Sequence, residues 1–175
     1  MPPYRPISEV AGARAQRVLI LTHGAAEVTA GVMPTVISIL DARGVEVAAT
    51  AEEAAKHPPL VERTIMEPTD LRGDGSDLVL VLGGDGSILR ALSREATTGA
   101  PVLGINFGRV GFLASVEQSD LERGLARALD GDYITLGLPS LKAEWSEGTL
   151  QAVNDLAFLR GGESRLADLS YSVSG

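Results

Sequence analysis

Hydrophobic positions fall into two textures along this chain. As far as residue 130, compact apolar runs alternate with stretches in which apolar residues recur at helical spacing. Arg17 to Thr22 (RVLILT) is β-branched, almost wholly apolar and closed by His23-Gly24, the signature of a strand buried on both faces of a parallel sheet. Val28, Val32, Val36, Ile39 and Leu40 then repeat with a helical period, with Gly44 as the stop and Pro34 expected to bend the first half. Val45 to Thr50 reads as a second strand, and Glu52 to Gly75 gives few strong signals. Leu78 to Leu82 is another unbroken apolar strand, followed by a glycine turn and the helical run SILRALSREA. PVLGIN repeats the strand-then-loop pattern, and Leu121, Leu125 and Leu129 mark a short amphipathic helix.

Beyond that helix the periodicity shortens. YITLGLPSLKAEW, TLQAVNDLAFLR and ADLSYSVSG are β-rich pieces separated by glycines, which predicts antiparallel strands, with Trp145 expected in their core. The expected fold class is therefore α/β: an open, mostly parallel sheet over residues 17–119, followed by an incomplete antiparallel β-rich domain over 120–175. Residues 1–16 hold three prolines and no apolar period, so they read as a flexible leader.

Composition narrows the class of partner. A 45% hydrophobic, 22% charged chain of 175 residues is expected to fold around a substantial core. A net charge of -8 argues against a general nucleic-acid binder, which needs a basic face to displace counterions. The absence of cysteine removes disulfides, thiolate metal sites and thiol nucleophiles. No apolar run suggests a membrane span or a secretory signal, so the expected location is cytoplasmic. The two histidines, His23 and His57, have no metal-ligand spacing; His23, at the same sheet end as Asp85 and Asn106, reads as a solvated loop residue in preference to a phosphate contact.

The chemistry concentrates after the central strand, at Gly83-Gly84-Asp85-Gly86-Ser87. Glycines there free the backbone to turn tightly and let a ligand approach, while the N–H groups at the start of the following helix favour an anion such as phosphate. The loop has neither the lysine of a P-loop nor the spacing of G-x-G-x-x-G. Asp85 is the anomaly, since a carboxylate among phosphate-binding glycines repels the phosphates unless it moves a proton or supports a metal. The alternative for Asp85 is a helix cap or turn, with Ser87 as the competing cap. Asn106, at the end of a strand, reads either as a site amide or as a turn residue; Phe107 and Phe112 read as stacking partners for an adenine or as core, with core favoured for Phe112. Arg109 reads as a solvated loop arginine or a phosphate contact. Asn154-Asp155, inside a strand pattern, reads as a ligand contact or a hairpin turn.

LVLVLGGDGSILRA resembles the GGDG segment of NAD kinases, a motif shared more loosely with diacylglycerol-type lipid kinases and phosphofructokinases. PVLGINFGRVGFLA resembles the segment that follows GGDG in NAD kinases, and Asn154-Asp155 is similar to the family's Asn-Glu or Asn-Asp pair. The resemblance implies phosphorylation of the ribose 2′-hydroxyl of NAD by ATP or polyphosphate, with Mg²⁺ or another divalent cation and Asp85 as the base. By the same resemblance Gly83, Gly84, Gly86 and Ser87 belong to the nucleotide site. It also implies that Asn106, Phe107, Gly108 and Gly111 line the dinucleotide site, that Asn154 and Asp155 bond its sugars or adenine, and that the complete protein is a homo-oligomer. Family members continue with a D-G-hydrophobic segment and a P-T-G-S-T-A-Y-like motif that have no match here, so the expectation is an N-terminal portion of a longer kinase. A non-catalytic nucleotide-binding fragment and a lipid kinase are the alternative functions.

Overall fold

A computed structural model describes residues 9–66, 75–95, 99–108, 111–153 and 155–157. Six strands form one parallel sheet: β2 (Arg17–Thr22), β3 (Glu46–Thr50), β4 (Thr64–Met66), β5 (Leu78–Gly83), β6 (Val102–Asn106) and β7 (Val116–Glu117). Their spatial order is β4-β3-β2-β5-β6-β7. The chain thus winds outward from β2 through β3 and β4, returns beside β2 as β5, and winds outward the other way. That reversal lies between β2 and β5, and ligands of open α/β sheets bind beyond the carboxyl ends of the strands at such a point.

The burial of β5 explains its sequence. All six of its residues are buried, and the side chains alternate between two cores. Leu78, Leu80 and Leu82 face α1 (Met33–Asp41) and α4 (Leu121–Leu129), while Val79 and Val81 face α3 (Asp85–Glu95). An unbroken apolar run is what a strand covered on both faces requires.

Several expectations are corrected. Pro34 does not bend a long helix; it stands in the first turn of α1, where a missing N–H leaves no bond unmade. A 3-10 turn at Ala26–Val28 replaces the predicted first half, and Gly44, at φ 65°, supplies the expected stop. The weak-signal region holds α2 (Ala51–Lys56) as well as β4. The leader is not free throughout: β1 (Glu9–Ala11) pairs antiparallel with β8 (Ile134–Leu136), and Ala15 is buried. Nor does the α/β unit end at residue 119, because Leu121, Leu125 and Leu129 lie in the same core as Leu80 and Leu82.

The antiparallel part comprises the β1–β8 pair and the hairpin of β9 (Leu141–Trp145) and β10 (Gly148–Ala152). Trp145 does not anchor a core here, being 53% exposed. The ADLSYSVSG segment lies outside the described residues.

Candidate functional site

The parallel register brings the ends of β2, β5 and β6 level: Thr22 pairs with Leu82, and Gly83 with Asn106. His23, Gly84 and Phe107 therefore leave the sheet together. His23 donates its backbone N–H to the Leu82 carbonyl (2.8 Å), and Phe107 donates to that of Gly83 (3.0 Å).

Gly83, Gly84 and Gly108 serve close approach rather than left-handed backbone, whereas a Cβ on Gly86 would meet open space. Among the described glycines only Gly44, Gly75, Gly99 and Gly131 have positive φ, so the tight-turn role expected for the loop glycines is replaced. A Cβ on Gly83 would stand 2.7 Å from the Cβ of Ser87, and one on Gly108 would stand 3.3 Å from the Cα of Gly84. Two loops thus touch backbone to backbone, where a side chain would separate them.

Asp85 opens α3, yet its carboxylate serves the neighbouring loop. Oδ1 accepts the N–H groups of Phe112 and Leu113, both at 3.1 Å, and Oδ2 accepts that of Phe112 at 3.0 Å. Two backbone donors stabilise the anion, while a carboxylate has about four lone-pair positions, so capacity remains on Oδ2. Beside Asp85 lies a small cleft of about 320 Å³ lined by His23, Gly84, Gly86, Ser87 and Arg90. Asp85 is not part of that lining; its carboxylate is turned toward Phe112 and Leu113 instead. The cleft receives the start of α3, whose dipole favours negative charge, and Arg90, which also donates to Ser87 Oγ (3.2 Å). His23 Nδ1 accepts the Ala25 N–H (3.1 Å), so in the neutral ring the proton sits on Nε2. His23 is partly buried in this lining, not the solvated loop residue expected.

Asn106 positions a loop. Its Oδ1 accepts the Gly108 N–H (2.9 Å) and its Nδ2 donates to the Glu117 carboxylate (3.2 Å), so about half of its hydrogen-bonding capacity is used within the protein. Gly111 packs against the same amide. Phe107 is half-buried against the core, whereas Phe112, expected there, is 89% exposed. Phe107 thus takes a setting the sequence left open to both rings, and Phe112 the exposed one it disfavoured. Phe112 lines a larger, mainly apolar cavity of about 560 Å³, together with Leu113, Tyr133, Leu136 and Val153. Val153 precedes Asn154; β10 ends at Ala152, so Asp155 is exposed beyond the strand rather than inside it. Arg109 and Asn154 lie outside the described residues.

The family model "ATP-NAD kinase N-terminal domain" matches residues 14–133, well over half of the chain. The chain belongs to the ATP-NAD kinase family. Its relatives include the NAD kinase of Corynebacterium glutamicum, 43% identical over 99 residues, which are 54% of this chain and 34% of that protein. The NAD kinase of Marinobacter nauticus is 39% identical over 110 residues, 60% of this chain and 37% of that protein. NAD kinase 2 of Streptomyces avermitilis is 32% identical over 168 residues, covering 93% of this chain and 56% of the relative. The chain therefore spans little more than a third of the first two and about half of the third. Its fold is that of a yeast NADH kinase whose crystal structure contains NADH, with a TM-score of 0.67, 21% identity, and coverage of 81% of this chain and 48% of the other. Family membership removes the lipid-kinase alternative.

The sequence reading missed three residues that the structure brings to this end of the sheet. Phe112 was hidden because an apolar residue in a short loop reads as core by default. Glu53 and His57 were hidden because AEEAAKH has the look of a solvated helix. Both are buried, at 5% and 1% exposure, in a polar network beneath the His23 loop. Burial pushes the His57 imidazole below its ordinary value, opposed by the Glu53 carboxylate and reinforced by Lys56.

Proposed function

We propose that this chain carries the phosphoryl-transfer centre of an NAD kinase. Asp85 removes the proton from the ribose 2′-hydroxyl of NAD. The freed oxygen forms a bond to the γ-phosphorus of ATP as the bond to the departing ADP breaks, giving NADP. The observation that carries this reading is the separation of acid from anion cleft. Asp85 is held by Phe112 and Leu113, while the neighbouring cleft of Gly84, Gly86, Ser87, His23 and Arg90 offers donors and positive dipole to phosphates. In-line phosphoryl transfer needs this arrangement of positioning and electrostatic stabilisation more than covalent assistance.

In this reading the exposed ring of Phe112 stacks on a base or ring of the dinucleotide, and Asn106 keeps the Gly108 backbone in place. Asn154 and Asp155 bond the sugars. Among the described residues no group of three or more His, Cys, Asp or Glu residues is placed to cage a metal. A divalent cation therefore arrives with the ATP phosphates, neutralising their charge, and no residue of this chain is assigned to hold it. A cytoplasmic, homo-oligomeric protein is part of the same proposal; among the described residues no helix is long and apolar enough to cross a membrane.

The open cavity beside Phe112 supports a second reading, a nucleotide-binding unit without turnover. Incubation of the purified chain with ATP, NAD and Mg²⁺ separates the two. NADP formation that disappears in Asp85→Asn supports the kinase. Binding of ATP or NAD without product supports the second reading, and binding of neither overturns both.

A further inference from the structure

Behind the His23 loop, one imidazole nitrogen meets two threonines from opposite ends of the same segment. His57 Nε2 lies 3.1 Å from Thr22 Oγ1 and 3.3 Å from Thr29 Oγ1. Thr22 is the last residue of β2; Thr29 closes the 3-10 turn and passes the chain into α1, its carbonyl accepting the Val32 and Met33 N–H groups. Residues 23–28 between them carry His23, one wall of the anion cleft.

Proton bookkeeping fixes the direction of these bonds. Thr22 has one hydroxyl proton, which goes to Glu53 Oε2 over 2.5 Å rather than to its longer alternative, the His23 carbonyl at 3.3 Å. Toward His57 it can therefore only accept, so Nε2 must carry a hydrogen, which Thr29 Oγ1 shares as a second acceptor. Glu53 is itself fixed: Oε1 accepts from Lys56 Nζ at 2.8 Å, and its N–H bonds Thr50 Oγ1 at 3.2 Å. All four side chains Thr22, Thr29, Glu53 and His57 are buried to nine-tenths or more. Lys56 and Thr22 thus both donate to Glu53, and His57 donates to both Thr22 and Thr29, so the five side chains form one linked chain in which donors converge on the carboxylate and diverge from the imidazole. A partly satisfied chain of this kind would be a serious penalty, so it holds a single arrangement.

We infer that His57 is a positioning residue: its Nε2–H ties Thr22 to Thr29 and so clamps both ends of the 23–28 loop, holding His23 against the glycine loop. The consequence for nucleotide affinity rests on the proposed phosphate cleft; the clamp itself does not. Thr29→Val is the mildest way to open it, because it preserves volume and leaves Thr22, Glu53 and Lys56 engaged. His57→Phe removes the donor, and His57→Gln returns an N–H near the position of Nε2.

The test uses the whole chain at pH 7 and three readouts: side-chain ¹⁵N resonances of His57, amide hydrogen exchange across Ala25 to Ala30, and calorimetric titration with ATP. His57 is expected in the neutral, Nε2-protonated form. Thr29→Val and His57→Phe are expected to speed exchange in the loop by about tenfold, the loss of roughly one hydrogen bond, while His57→Gln stays within about twofold. ATP affinity is expected to follow the same order. A hydrogen on Nδ1 alone, unchanged loop exchange in folded Thr29→Val, or equal acceleration throughout β2 and β5 would overturn the clamp. If ATP binds no variant, wild type included, the phosphate cleft fails while exchange still decides the clamp. Should His57→Phe not fold, Thr29→Val alone decides it.

Discussion

The central strand β5 and the hairpin β9–β10 are both rich in apolar residues, yet they stand in opposite environments. Every residue of β5 is buried, whereas Leu141, Trp145 and Leu150 of the hairpin are each about half exposed, at 47%, 53% and 54%. The difference lies in coverage. β5 has β2 and β6 on its edges and helices on both faces; the hairpin pairs only with itself among the described residues. A two-stranded ribbon is marginal in water without something to pack on, and apolar surface of this kind marks an interaction face. The same residue types therefore stabilise one region and leave the other unsatisfied.

The sharpest contrast is expected from matched truncations. Leu80→Ala should lose about 2–5 kcal/mol in urea unfolding, the transfer and cavity penalty of a wholly buried leucine, while Leu150→Ala should stay within about 0.5 kcal/mol. Nearly as large is Glu53→Ala, expected to destabilise by about 3 kcal/mol because Lys56 and the Thr22 hydroxyl lose a buried partner. Equal denaturation midpoints for wild type and this variant would remove the network from the account. Gly104→Ala comes next. Its Cβ would stand 2.4 Å from Ile88 Cδ1 inside the α3-facing core, so about 1–3 kcal/mol of overpacking is expected, readable as a lower melting temperature.

Titration probes the sheet side alone. The His57 pKa is lowered from 6.5 by burial, so the unfolded chain takes up this proton before the folded one does. Its contribution to stability is complete above pH 6.5 and is lost as pH falls from there toward the lower folded value. Urea midpoints measured between pH 7.5 and 5 should decline, and His57→Gln should flatten the slope. The smallest effect is Trp145→Ser, expected to change stability by less than about 0.5 kcal/mol while reducing self-association in light scattering.

The fold was legible where coverage is complete. Runs such as RVLILT and LVLVLG can be satisfied only as strands buried on both faces, and a leucine every fourth residue commits Leu121 to Leu129 to a core-facing helix. The site was legible only in outline. GGDG announced an anion loop with an acid in it, but residue type could not say which way the carboxylate turns. Phe112 was misassigned for the same reason: within a short loop no period separates core from surface.

The sequence by itself determined the α/β class with its main strands and helices, the family and the loop proposed to carry the chemistry, because these follow from local periodicity and contiguous motifs. Tertiary structure alone decided that Asp85 faces Phe112 and Leu113, that Gly84 and Gly108 touch, and that His57 meets Thr22 and Thr29. Each of those contacts joins residues far apart in the chain. They arise from the parallel register and the winding reversal between β2 and β5, and no local pattern of residues encodes them.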